Sequence, residues 1–193
     1  MPATYAMKPL GCDPQRIKGM SEKLIVSHYE NNYCGAVKRL NMIEEQLSEL
    51  DHAKAPVFLI DGLKREELVA TNSMVLHELF FDGLGDQSEP GPALREAIAK
   101  DFGAFEKWRQ EFAAIGKALG GGSGWVLLSR STRQNRLVNQ WASDHCHILA
   151  ASQAHSRARY VRAFLPHGFR RQGRRLRRRV HGCSALGKRH GAL

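Results

Sequence analysis

The sequence predicts an α+β fold: a long N-terminal helical hairpin, a C-terminal α/β domain with a small antiparallel sheet, and an irregular tail. Three observations predict it. Apolar residues recur near helical period over two long stretches, about 21–50 and 64–83. A linker rich in Gly and Pro, Gly83–Gly91, separates these from two shorter helical stretches. Two β-rich runs joined by a polar turn then follow a Gly-rich segment.

Residues 1–20 read as irregular, broken by Pro9, Gly11, Pro14 and Gly19. Ser21 can cap the first helix, and Glu22 suits its first turn. Leu24, Ile25, Tyr29, Val37, Leu40, Ile43, Leu47 and Leu50 mark its apolar face, with a kink expected near Gly35. Asp51–Gly62 reads as a connector holding the short apolar piece Val57–Ile60. The second helix is expected over Lys64–Gly83, with Leu68, Met74, Val75, Leu79 and Phe80 on one face and His77 within that stripe. Helices over Pro92–Asp101 and Ala104–Leu119 come next. Trp125–Arg130 and Arg136–Trp141 are the expected strands, joined by the turn Ser131–Asn135. The implied division is a hairpin domain over 1–88, an incomplete α/β domain over 89–153 and a basic, disordered tail over 154–193.

Charge marks the last boundary sharply. Of the 29 basic residues twelve lie after residue 153, where there is no Asp or Glu, leaving 17 against 19 acidic residues in the body. The net +10 therefore belongs to the tail. No run of eighteen apolar residues exists, which excludes a membrane-spanning helix. The N-terminus shows no apolar signal core, and Cys12, Cys34, Cys146 and Cys183 fit no metal-knuckle or CxxC spacing. Reduced thiols and a cytoplasmic location are the expectation.

Histidines are the candidates for chemistry. His28 and His77 each fall mid-helix among apolar neighbours, and two antiparallel helices can aim both imidazoles into one space. Taken singly, each reads more readily as a satisfied, half-buried core or surface histidine. Two imidazoles also do not close an iron, zinc or manganese site, which takes at least three protein ligands.

Four segments, in order over roughly residues 5–150, resemble the iron/manganese superoxide dismutases. His28-Tyr29 with Val37-Lys38-Arg39-Leu40-Asn41 resembles the family's first ligand helix, and Asn72–Phe81 its second. Phe102–Trp108 is similar to the helix that opens the family's second domain, and Gly122-Ser123-Gly124-Trp125 to its Gly-Ser-Gly-Trp strand start. The resemblance implies that His28 and His77 are the first two ligands of one iron or manganese ion. It implies that Trp125 forms an apolar wall, and that His145 sits where the family places a Gln or His hydrogen-bonded to metal-bound solvent. His147 has no such match. The substrate would be superoxide, two of which give dioxygen and hydrogen peroxide, and the assembly a homodimer or homotetramer.

The chain departs from the family twice. Asn32 and Ala36 stand where the family has His and Tyr one and two turns after the first ligand, leaving Tyr33, in a shifted register, to replace the gateway Tyr. The family's Asp-x-(Trp/Tyr)-Glu-His, source of its last two ligands, is absent.

Codon arithmetic offers a cause. Ala158–Phe164 can be written GCT CGA TAT GTA CGA GCA TTC; one base later this reads Leu-Asp-Met-Tyr-Glu-His. Residues 154–157 permit Pro-Ile-Leu-Ala in that frame. After a junction Ser, residues 165–181 permit Tyr-His-Met-Asp-Phe-Gly-Ala-Lys-Ala-Ala-Ala-Tyr-Val-Asp-Ala-Phe-Met, a plausible final helix. A one-base frameshift near residues 146–154, genuine or a sequencing error, is therefore expected. The rival reading is a nucleic-acid arm, in which Arg170, Arg171, Arg174, Arg175, Arg177, Arg178 and Arg179 bind phosphates, at least non-specifically.

Overall fold

A computed structural model describes residues 3–85, 90–119, 124–150, 152–154 and 161–163. The fold is α+β, with five α-helices and a small antiparallel sheet among the described residues. Helix α1 (Glu22–Ser27) starts where the Ser21 hydroxyl accepts the Leu24 N–H, and it continues through a π-helical turn, His28–Tyr33, into α2 (Cys34–Glu49). The helix is disturbed at this turn rather than at Gly35. A π-turn takes one more residue per turn than an α-helix, so Tyr33, not Asn32, follows His28 inward: His28 and Tyr33 are buried and Asn32 is exposed.

Helix α3 (Val57–Asp82) begins two turns earlier than expected. Pro56 supplies its N-terminal boundary, and Val57 and Phe58 are helical yet 82% and 77% exposed. Those residues are largely exposed, so no periodic stripe announced the helix. The buried face is Ala70, Ser73, Met74, Leu76, His77, Phe80 and Phe81; Leu68 and Val75, expected on it, are exposed. This face packs on Ile25, Val37, Leu40 and Ile43 of the first arm, and Arg39 pairs with Glu66 across the hairpin at 2.8 Å.

Helices α4 (Pro92–Phe102) and α5 (Phe105–Ala118) meet at Gly103, whose φ of +82° is left-handed and suits glycine. Strand β1 (Trp125–Ser131) pairs antiparallel with β2 (Arg136–Ala142) along its whole length. Its other edge takes two short strands: β3 (Ser152–Ala154) opposite Ser129–Ser131, and β4 (Val161–Ala163) opposite Trp125–Leu127. Ala154 of β3 and strand β4 lie within the segment expected to be irregular; the rest of that segment, including the seven arginines named above as phosphate-binding, lies outside the described residues.

Because side chains alternate along a strand, β1 serves two cores. Trp125 and Leu127 join the helical hairpin, while Val126 and Leu128 join Ile98, Trp108 and Phe112 of α4 and α5. Gly124 lets β1 begin where it does. A Cβ there would lie 2.9 Å from Leu119 Cδ2 and 3.0 Å from the Ala142 carbonyl oxygen. The strand start is thereby held against β2, with the Trp125 ring turned toward the hairpin.

Candidate metal centre

His28 comes from the π-turn, His77 from the penultimate turns of α3, Trp125 from the start of β1 and His145 from the turn after β2. The structure brings all four together. The rings of His28 and His77 are 4.6 Å apart, and those of His77 and His145 are 5.8 Å apart. Trp125 presents its ring at 5.1 Å to His77 and 5.6 Å to His145, and Phe80 and Phe81 close the space beside His28. The Nε2 atoms of His28, His77 and His145 are buried and have no hydrogen-bond partner.

The opposite edge of the His77 ring is held. Nδ1 of His77 is 2.6 Å from the Ser73 carbonyl oxygen, one helical turn back. A carbonyl only accepts, so Nδ1 carries the proton and Nε2 presents a lone pair. Asn32, beside His28, opposes the effect of burial and favours that imidazole's protonated form. Asn72 donates to the His145 carbonyl at 2.6 Å and ties the turn to α3. Burial pushes all three imidazoles below the usual histidine range, His77 to about 4; the Ser73 bond opposes that, and the neighbouring histidines add to it.

Sequence reasoning missed Ser73, Asn72 and the role of Asn32. Ser73 was findable from its spacing, four residues before a helical His; Asn72 acts on a backbone carbonyl and leaves no such signal.

Tyr33 is buried, but its hydroxyl donates to Glu78 at 3.1 Å and accepts from the Lys8 amide at 2.9 Å. Burial raises it to about 12. Glu78, adjacent in sequence to His77, is engaged by Tyr33 and by the Lys8 ammonium rather than by the histidines. His147 stacks on Trp141, bonds Ser143 and is half exposed, outside the cluster. Among the described residues no group of three or more His, Cys, Asp or Glu is placed to hold a metal ion. The donors therefore fit an iron or manganese ion only in part: two converging imidazoles, with no anionic ligand beside them.

A pair of histidines on a helical hairpin, walled by a tryptophan from a small sheet, is buried where the sheet meets the hairpin. The description "Iron/manganese superoxide dismutases, C-terminal domain" matches residues 90–157. A superoxide dismutase [Fe] of Cupriavidus metallidurans is 67% identical over 146 residues, 76% of this chain and 74% of that one. A superoxide dismutase [Mn] of Halobacterium salinarum is 33% identical over 148 residues, 73% and 70% of the two chains. A superoxide dismutase [Fe] of Aquifex pyrophilus is 34% identical over 139 residues, covering 68% and 64%. The chain belongs to the iron/manganese superoxide dismutase family. No helix among the described residues is long and apolar enough to cross a membrane.

Proposed function

We propose that this chain is a superoxide dismutase of the iron/manganese type by descent, and that as written it binds iron or manganese weakly and has little or no activity. The observation that carries the reading is the pair of unpartnered Nε2 atoms on His28 and His77, with no group of three or more His, Cys, Asp or Glu placed to hold a metal among the described residues. When bound in such a site, the ion supplies the one-electron chemistry that converts two superoxide ions to dioxygen and hydrogen peroxide. Here two neutral imidazoles offer no charge against a trivalent ion in an apolar pocket, and burying an uncompensated charge is costly.

Within this reading His28 and His77 are ligands and Trp125 excludes water from their lone pairs. In the intact arrangement His145 is the group that hydrogen-bonds metal-bound solvent. Tyr33 is the substitute for the gateway Tyr, although its hydroxyl bonds are with Glu78 and Lys8. The matched family region ends at residue 157, beside the expected frameshift, which supports loss of the last two ligands there. Losing the final helix would also weaken a homodimer or homotetramer. The thiols of Cys12 and Cys146 suit a reducing compartment such as the cytoplasm.

Metal analysis of purified protein is the test. We expect well under one iron or manganese per chain, and a stoichiometric content of either would sink the reading. The tail's charge adds salt-sensitive, non-specific attraction to nucleic acid. Removing residues 154–193 should abolish it, and persistence of binding would place the contact elsewhere.

A further inference from the structure

We propose that Tyr33 is a positioning residue: clasped by the N-terminal segment, residues 5–10, it holds the π-turn in place and so keeps the His28 ring against His77. The inference rests on the reading above only in taking His28 and His77 as the functional pair. It gives the Tyr33 hydroxyl, engaged by Lys8 and Glu78, a role of its own.

The clasp is built from hairpin side chains that reach backbone groups of the segment. Asn41 and the backbone of Tyr5 bond reciprocally, at 2.8 and 3.0 Å. The Lys8 amide donates to the Tyr33 hydroxyl at 2.9 Å, and the Lys8 carbonyl accepts from the Tyr29 hydroxyl at 2.6 Å. Tyr33 in turn donates to Glu78 at 3.1 Å, and Glu78 pairs with the Lys8 ammonium. Tyr5, Met7 and Leu10 pack on the hairpin core beside these bonds. Tyr33 thus joins three pieces of chain: the segment at Lys8, helix α3 one residue past His77, and the end of the turn that begins at His28.

The turn needs such a hold. The Cys34 amide donates to the Tyr29 carbonyl, five residues back, whereas an α-helix bonds four residues back. Turns of this kind are rare within helices. Without the clasp, the chain would absorb the extra residue by continuing as α-helix. That would turn α1 relative to α2 by about 100°, one residue of helical rotation. Helix α2 has 16 residues and packs on α3 through Val37, Leu40 and Ile43, while α1 has six, with Ile25 buried. The shorter helix would be the one to move, and it would carry His28 away from His77. In the present register the two rings are 4.6 Å apart.

The test uses the full chain, stripped of metal with chelator, and reads ring-to-ring NMR contacts between His28 and His77. The parent should show them. Tyr33→Phe keeps the ring and removes both hydroxyl bonds; it should lose the contacts while circular dichroism shows its helices intact. Asn41→Ala frees the segment at Tyr5, away from the turn, and should keep them. Deletion of Asn31, an exposed residue of the turn, takes out the extra residue and lets an α-helix present both His28 and Tyr33 inward. In that background the contacts should be present, and Tyr33→Phe should no longer remove them. Contacts that survive Tyr33→Phe in the parent, that vanish equally in Asn41→Ala, or that Tyr33→Phe still removes after the deletion, overturn the inference. Hydrogen exchange on the parent decides the matter where a variant does not fold. The amides of Lys8 and Cys34 should open as one unit; a Lys8 amide that opens while Cys34 stays protected overturns the inference too. Metal content plays no part in these readouts. Stoichiometric iron or manganese in the untreated protein would overturn the weak-metal reading and leave the clasp standing.

Discussion

Replacing residues 154–181 by the second-frame segment is expected to yield protein that purifies with close to one iron or manganese per chain and dismutes superoxide. That segment reads Pro-Ile-Leu-Ala-Leu-Asp-Met-Tyr-Glu-His-Ser-Tyr-His-Met-Asp-Phe-Gly-Ala-Lys-Ala-Ala-Ala-Tyr-Val-Asp-Ala-Phe-Met. It puts an Asp at the position of Arg159 and a His at that of Ala163. The sheet explains why this should complete the site. Strand β3 pairs Ser131 with Ser152 and Ser129 with Ala154. Extended in that register, position 158 would stand opposite Trp125, and the Asp would arrive just past it, beside His77 and His145. In the present chain, stepping from Ser129 to Leu127 moves the partner from Ala154 to Val161, seven positions instead of two. The tail thus meets the strand that lines the site in a register offset by five.

Two ligands, one anionic, should raise metal affinity by far more than the roughly 10–100-fold attributable to an outer partner. A companion with Ala at both ligand positions separates chemistry from packing: it should regain stability from the restored helix but no metal. Failure of the restored chain to hold metal would reject the frameshift account of the missing ligands. So would a gene whose codons 154–181 do not encode that segment in the second frame.

The parts of the fold that were legible follow from burial. Strand β1 alternates between two cores, and both strands were readable within a residue or so of their ends. The early start of α3 was not, because Val57 and Phe58 are largely exposed and so mark no buried stripe. Nor was the π-turn: His28–Tyr33 contains no breaker, and the family resemblance set only Asn32 and Ala36 at the positions one and two turns after His28. At the site, residue type and helical context suggested that His28 and His77 could converge, but only the family resemblance brought in Trp125 and His145. The convergence itself depends on how β1 docks against the hairpin, a long-range contact that no local pattern encodes.

Acidification should destabilise the metal-free protein well above the range where carboxylates titrate. His77 is 2% exposed, and burial lowers its folded pKa to about 4, against about 6.5 for an unfolded histidine. Above pH 6.5 neither state binds the proton, and the full stability is present. Between 6.5 and about 4 the unfolded chain takes up a proton that the folded chain refuses, so stability falls by about 1.4 kcal/mol per pH unit. Below about 4 both states are protonated and this contribution ends. Across the window His77 alone costs about 3 kcal/mol, a large share of the 5–15 kcal/mol typical of a domain. His28 and His145 shift in the same direction and should steepen the slope, since each proton added to one ring opposes the next. Denaturant midpoints at pH 7.5, 6 and 5, with chelator present, are the measurement. The parent should lose stability through this range, and His77→Gln should lose about 1.4 kcal/mol less per unit. A parent whose midpoint stays flat from pH 7.5 to 5 would mean that the imidazoles accept protons in place, and that the pocket is wetter than its buried, unpartnered Nε2 atoms imply.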